Sequence, residues 1–188
     1  MAGPTLPLPF QTDRLTLRWY RPDDFAGLYA LQSDPELVAY VPFGIRSEQE
    51  VNEHLDWRLN NHILTDGDDR LGIAVTRRHD DRYVGDLVLF FANVDNQCGE
   101  IGYILLPEHQ GHGYMTEAVA ALIGLGFGSI ELHRIVAHID ARNKPSAAVA
   151  ERVGMRLEAH HLEDELFKGE WTDSLIYAVL RSEWEKRP

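Results

Sequence analysis

Three consecutive stretches decide how this chain folds: Glu100-Ile-Gly-Tyr-Ile-Leu-Leu106, Pro107-Glu-His-Gln-Gly-His-Gly-Tyr-Met115, and Thr116-Glu-Ala-Val-Ala-Ala-Leu-Ile-Gly-Leu-Gly-Phe-Gly-Ser129. The first is apolar and rich in strand formers, and Pro107 stops it. The second holds Gly111 and Gly113, residues that let backbone come close to another group. In the third the period changes: Val119, Leu122, Ile123, Phe127 and Ile130 recur at three- and four-residue steps, which predicts a helix with one apolar face. Thr116 or a residue just before it is placed to cap that helix. A glycine turn feeding a helix start leaves backbone N–H groups unpaired along the positive end of the helix dipole. Such a start favours an anion, most often a phosphate.

Two familiar phosphate loops are disfavoured. No G-x-x-x-x-G-K-[ST] run occurs in the chain. In a dinucleotide fingerprint Thr116 would replace the third glycine, and Pro107 to Gln110 intervene between strand and turn. A nicotinamide-dinucleotide enzyme survives only through Gly111, Gly113 and Asp140 at a later strand end.

Outward from this stretch the chain reads as one domain over residues 1–188, long enough to bury a core. Residues 1–11, with three prolines among them, form a loosely held lead-in. Arg14–Trp19 alternates as a half-buried strand, and Pro22-Asp-Asp opens a helix carrying Phe25, Leu28 and Tyr29 on one face. Ser47-Glu-Gln-Glu50 is a capping box that starts a second helix with Val51, Leu55, Leu59 and Ile63 inward. Between the two helices, Ala39–Ile45 is either a loop folded on the core or one wall of a substrate slot. Strands at about 70–76, 83–91 and 99–106 form an antiparallel meander. A strand at His133–Ile139 follows the central helix by a right-handed crossover. Next comes a short helix from Lys144 that Gly154 ends. A hairpin of 156–167 and 171–180 closes the order, giving a mixed α/β domain of about seven strands and about four helices.

The single cysteine, Cys98, excludes an internal disulfide framework, and the nine histidines show no metal-type spacing, so no metal is expected. No signal peptide precedes the domain, and the longest apolar run, Ala118–Phe127, is too short to span a bilayer, so a soluble cytoplasmic protein is expected. A net charge of −12 argues against nucleic acid as a partner and is compatible with a cationic substrate or with solubility alone.

Gln110, Gly113 and Met115 occupy the marked positions of the Q/R-x-x-G-x-G/A loop of GCN5-related N-acetyltransferases (GNAT), with methionine in place of the usual small residue. Pro107–Ala118, Leu132-His-Arg-Ile135, Asn143-Lys-Pro-Ser146, Val153-Gly-Met155 and Gly169-Glu-Trp-Thr-Asp173 resemble strings of the RimJ/RimL-type branch in the same order. The resemblance covers nearly the whole chain from Thr12. It implies the GNAT fold: a mostly antiparallel sheet flanked by helices and splayed at a cofactor cleft.

The resemblance also implies acetyl-CoA as co-substrate. Gln110, Gly111, His112, Gly113, Tyr114, Met115 and Thr116 would take its pyrophosphate. Backbone groups of Ile104, Leu105 and Leu106 would meet the acyl carbonyl and pantetheine amides, and Asn143 the pantetheine arm. Ser146 would face the leaving sulfur, with helix capping as its other reading. Glu100 is the favoured general base, because a carboxylate occurs there in some members. Glu163, Asp164 and Glu165 are rivals on the hairpin, Asp173 reads as structural, and His109 and His112 as bystanders. The chemistry needs a neutral amine. A lysine amine near 10.4 is almost wholly protonated at pH 7, whereas an α-amine near 7.7–8.0 is roughly a tenth neutral and needs only modest help.

The implied activity is acetyl transfer from acetyl-CoA to a primary amine, possible acceptors being a protein N-terminal α-amine and a small-molecule amine. A larger donor such as succinyl-CoA and a non-catalytic acyl-CoA-binding regulatory module remain alternatives. A homodimer or higher homo-oligomer is compatible with the family.

Overall fold

The computed structural model describes residues 3–65 and 69–187. One sheet of eight strands organises it, in the order β1-β2-β3-β4-β5-β6-β8-β7. The strands are β1 (Phe10–Gln11), β2 (Leu15–Arg18), β3 (Arg70–Arg77), β4 (Tyr83–Asn93), β5 (Cys98–Leu105), β6 (Arg134–Asp140), β7 (Arg156–Phe167) and β8 (Glu170–Leu180). Helices α1 (Phe25–Ser33), α2 (Glu48–Asn60), α3 (Tyr114–Ser129), α4 (Lys144–Arg152) and the short α5 (Arg181–Trp184) complete it. None of the helices among the described residues is long and apolar enough to cross a membrane.

Every neighbouring pair of strands is antiparallel except β5 and β6. The exception follows from the α3 crossover, since a helix joining adjacent strands returns the chain in the same direction. The parallel pairing runs only from Cys98–Glu100 against Arg134–Val136. Beyond it the two strands separate, and this gap in the sheet positions the site.

The strand faces divide the core by their two-residue period. On one face Leu87, Leu89, Ile101, Ile135, Ala137 and Ile139 pack with Val119, Leu122 and Ile123 of α3. On the other, Ala74 meets Leu28 of α1 and Val51 and Leu55 of α2. The capping box at the start of α2 is complete: Ser47 N–H donates to the Glu50 carboxylate (2.8 Å) and Glu50 N–H donates back to Ser47 Oγ (3.4 Å).

Three features differ from the sequence expectation. The lead-in is held more closely than its prolines imply: Leu6 is buried, Leu64 N–H donates to the Pro4 carbonyl, and Phe10–Gln11 pairs with β2. Met1 and Ala2 lie outside the described residues. The central helix begins at Tyr114 rather than Thr116, with Gly113 as its cap at φ +76° and no side chain closing it. Short α5 was not legible, because a single turn carries too little periodicity to register.

Candidate active site

The gap between β5 and β6 opens into a cavity of about 620 Å³. Its walls come from both faces of the sheet, which only a parting of strands permits. Glu100 and His138 stand on the α1/α2 face, by their register with Phe90 and beyond Val136. Tyr103, on the opposite face, reaches α4 and donates its hydroxyl to the Ser146 carbonyl (2.7 Å). Asn143 and Ser146, at the start of α4, also line the cavity.

Glu100 is paired. Its carboxylate lies 2.9 Å from His138 Nδ1, with the Glu100 side chain 19% exposed and that of His138 50%. This hydrogen bond, working against partial burial, raises the His138 pKa above its usual value. Sequence reading overlooked His138, although a signal was present: Ile135, Ala137 and Ile139 alternate inward, so a histidine between them faces the other side, level with Glu100.

Asn143 caps α4, its Oδ1 accepting from Ser146 N–H at 3.2 Å. The capping role weighed for Ser146 therefore belongs to Asn143, and the Ser146 hydroxyl is not used for it. Of the three residues Ile104, Leu105 and Leu106, the last has no N–H to offer. That group donates to the Val84 carbonyl (3.0 Å), while the Leu106 carbonyl accepts from His109.

The glycine loop presents the bare start of α3. Gly111 and Gly113 both sit at φ +76°, and a Cβ on Gly111 would meet nothing within 4 Å. Met115 turns inward and is buried with the α3 core, so its bulk leaves the N–H face of the loop clear. Thr116 lies in the first turn, and the Gln110 side chain donates to the Leu105 carbonyl (3.4 Å). Arg14, about a hundred residues away in sequence, completes the loop's surroundings. It donates to the His112 carbonyl (2.9 Å), pairs with Glu117 (2.6 Å) and lies over the Tyr114 ring (5.0 Å). No local pattern could have found it.

His112 stacks on Tyr114 (5.6 Å), whereas His109 is buried beneath the loop, and burial lowers its pKa. Of the rival acids on the hairpin, Asp164 is engaged, as is the structural Asp173. Asp164 accepts from the Ser174 hydroxyl (2.6 Å), and Asp173 from Glu163 N–H (2.9 Å) and His160 (3.0 Å). Burial raises the pKa of the Cys98 thiol, which disfavours the thiolate that a nucleophile needs. No cluster of metal-ligating side chains occurs among the described residues.

The far wall comes from the Ala39–Ile45 loop and α2: Tyr40, Val41, Pro42 and Phe43 line the cavity, while the preceding Val38 enters the core. Arg58 of α2 and Asp86 of β4 lie behind them, 3% and 6% exposed, joined by two hydrogen bonds of 2.7 Å. Burial disfavours both charges, but the fork-to-fork pairing keeps the guanidinium protonated.

The family described as Acetyltransferase (GNAT) domain matches residues 14–156. An uncharacterised N-acetyltransferase of Bacillus subtilis, YnaD, is 31% identical over 173 residues, 92% of this chain and 97% of that protein. A crystal structure of a GNAT-family acetyltransferase from Bacillus anthracis superposes with a TM-score of 0.82 at 26% identity, covering 92% of this chain and 98% of the other. Spermidine N-acetyltransferase of Vibrio cholerae, solved with CoA and spermine, shares the fold with a TM-score of 0.79 at 21% identity, over 93% and 100% of the two chains. The chain belongs to the GNAT family of acetyltransferases, enzymes that transfer an acetyl group from acetyl-CoA to an amine.

Proposed function

We propose that the cavity is where a primary amine, such as a protein N-terminal α-amine or a small-molecule amine, attacks acetyl-CoA directly, with Glu100 as the proton acceptor. The observation that carries this reading is the Glu100–His138 pair standing in the same cavity as Asn143 and Ser146, at the point where β5 and β6 part. The uncapped start of α3, with Gly111 and Gly113 in left-handed conformation and Met115 turned into the core, fits the pyrophosphate of a CoA thioester. Arg14, ion-paired with Glu117, braces the loop through the His112 carbonyl.

The roles follow from what each group has available. The amine nitrogen bonds to the thioester carbon while its proton passes to Glu100, directly or through a water. His138, donating to the other side of the carboxylate, orients it. The C–S bond then breaks, and the thiolate is protonated through the Ser146 hydroxyl, which the helix cap leaves free to turn and which takes a proton from water in return, while Glu100 releases the amine's proton to solvent. The products are an N-acetylated amine and CoA, with no enzyme-bound acyl group. Strings shared with the RimJ/RimL-type branch support a peptide N-terminus as acceptor, whose α-amine is the easier one to deprotonate.

Incubating the protein with acetyl-CoA and a panel of peptides and amines, with products read by mass spectrometry, tests this. The reading predicts acetylated product, a fall in kcat of about 10²–10⁴ for Glu100→Gln, and CoA binding retained in both Glu100→Gln and Ser146→Ala. A panel without any acetylated product, or full activity in Glu100→Gln, overturns it.

A further inference from the structure

The α1/α2 wall of the cavity holds more hydrogen-bond donors than acceptors. Around His54 three side chains converge. Arg46 Nη1 approaches its Nδ1 at 2.5 Å, Arg58 Nε approaches its Nε2 at 3.2 Å, and the Gln32 amide stands 2.9–3.1 Å from Nδ1. Burial, with the two arginines, holds His54 neutral, its pKa pushed down to about 3. A neutral imidazole has one lone pair, so it cannot accept from a guanidinium at both nitrogens. Gln32, only 2% exposed, has its carbonyl oxygen engaged by Arg46 (2.8 Å) and is held in place.

The charges tell the same story. Asp86 is taken up by the two forks of Arg58. Arg46 rests on the Phe43 ring at 4.2 Å and has no carboxylate within ion-pair distance among the described residues. Glu50, in the first turn of α2, is bound up in the Ser47 cap. The remaining acids of the cavity, Glu100 and Asp140, lie across it and pair with His138 and Arg142.

We propose that the amine accepted here also carries an oxyanion, a carboxylate or a phosphate, bound by Arg46 with Gln32 and His54 holding that arginine in place. The amine end would then sit at Glu100 and the anionic end at the α2 wall. A polyamine, cationic at both ends, would meet a guanidinium instead. This deepens the reading of the preceding section and rests on it.

Matched acceptors test the idea: β-alanine against propylamine, phenylalanine against phenethylamine, and phosphoethanolamine against ethanolamine. Each is assayed for acetyl transfer, and each is titrated calorimetrically into the CoA-bound protein. The expected result is at least a tenfold advantage in kcat/KM for the anionic member of one or more pairs. Which pair responds separates carboxylate from phosphate. Arg46→Met should collapse that ratio towards one, chiefly through KM, while Arg46→Lys should keep part of it. A thermal shift with CoA equal to the wild type's shows that each variant is folded.

Acetylation of the plain amines with no anionic advantage, or an unchanged ratio in Arg46→Met, overturns anion recognition and leaves the acetyltransferase reading intact. Tighter binding of the anionic members without turnover of any amine overturns the acetyltransferase reading and leaves anion recognition standing.

Discussion

His54 and His138 line one cavity and respond to pH in opposite directions. The His54 pKa is depressed to about 3, so between about 6.5 and 3 the unfolded chain binds a proton that the folded protein refuses. Its contribution is complete above about 6.5 and is lost as pH falls, by at most about 1.4 kcal/mol per pH unit. His54→Gln should therefore lose less stability than the wild type in urea melts taken at pH 7, 5 and 4, and an equal loss contradicts the burial argument. For His138 the pKa is raised by Glu100, so that pairing stabilises fully below the unfolded value and fades as pH rises through the folded one. His138→Asn should flatten the stability profile on that alkaline side, which the same melts at pH 6, 7 and 8 would show. Glu100 was singled out by the family resemblance, at the start of the strand that enters the glycine turn. His138 was missed because one histidine in a strand is, by itself, weak evidence of anything.

At the level of elements, α2 is tied to the sheet through the Arg58–Asp86 pair and not through leucines alone. Arg58 lies seven residues after Val51, an inward position of the helical period, yet a charged residue there reads as solvent-facing. Gly72 on β3 makes room for it: a Cβ there would stand 2.4 Å from Arg58 Nη1. Arg58→Met should cost about 3–5 kcal/mol by stranding the Asp86 charge, while Arg58→Met with Asp86→Leu should recover most of that loss in denaturant melts. A double variant no more stable than the single would contradict this account.

The start of α3 is the second element with a specific demand. Gly113 caps the helix at φ +76°, a conformation that costs an alanine about 1–2 kcal/mol, whereas its neighbour space is ordinary, with Arg14 Nη2 at 3.5 Å. Gly113→Ala should lower stability by about that amount and weaken CoA binding more than Gly124→Ala, a helix-interior control with φ in the usual range. The Gly111–Gly113 pair was legible because left-handed backbone selects glycine. Arg14 was not, because its link to His112 spans the chain.

Across the whole molecule, order and type of nearly every element followed from period and punctuation. The capping box at Ser47, the α3 crossover and the final hairpin stand where the residues place them. The two-residue β1 escaped notice, since Phe10–Gln11 is too short to alternate and lies among prolines. The net charge of −12 describes the surface and the field that an approaching ligand meets; it does not report the sign of a single wall inside, where Arg46 faces the cavity while Arg58 is paired with Asp86. The central claim, a CoA thioester held between the α3 start and the parted strands, is tested most directly by thermal stability with acetyl-CoA, succinyl-CoA, NAD and ATP. At about a hundred times its dissociation constant a ligand adds about 2.7 kcal/mol, several degrees for a domain of this size. The account predicts a shift of that order with a CoA thioester and none with NAD; a shift with NAD or ATP and none with either thioester would contradict it.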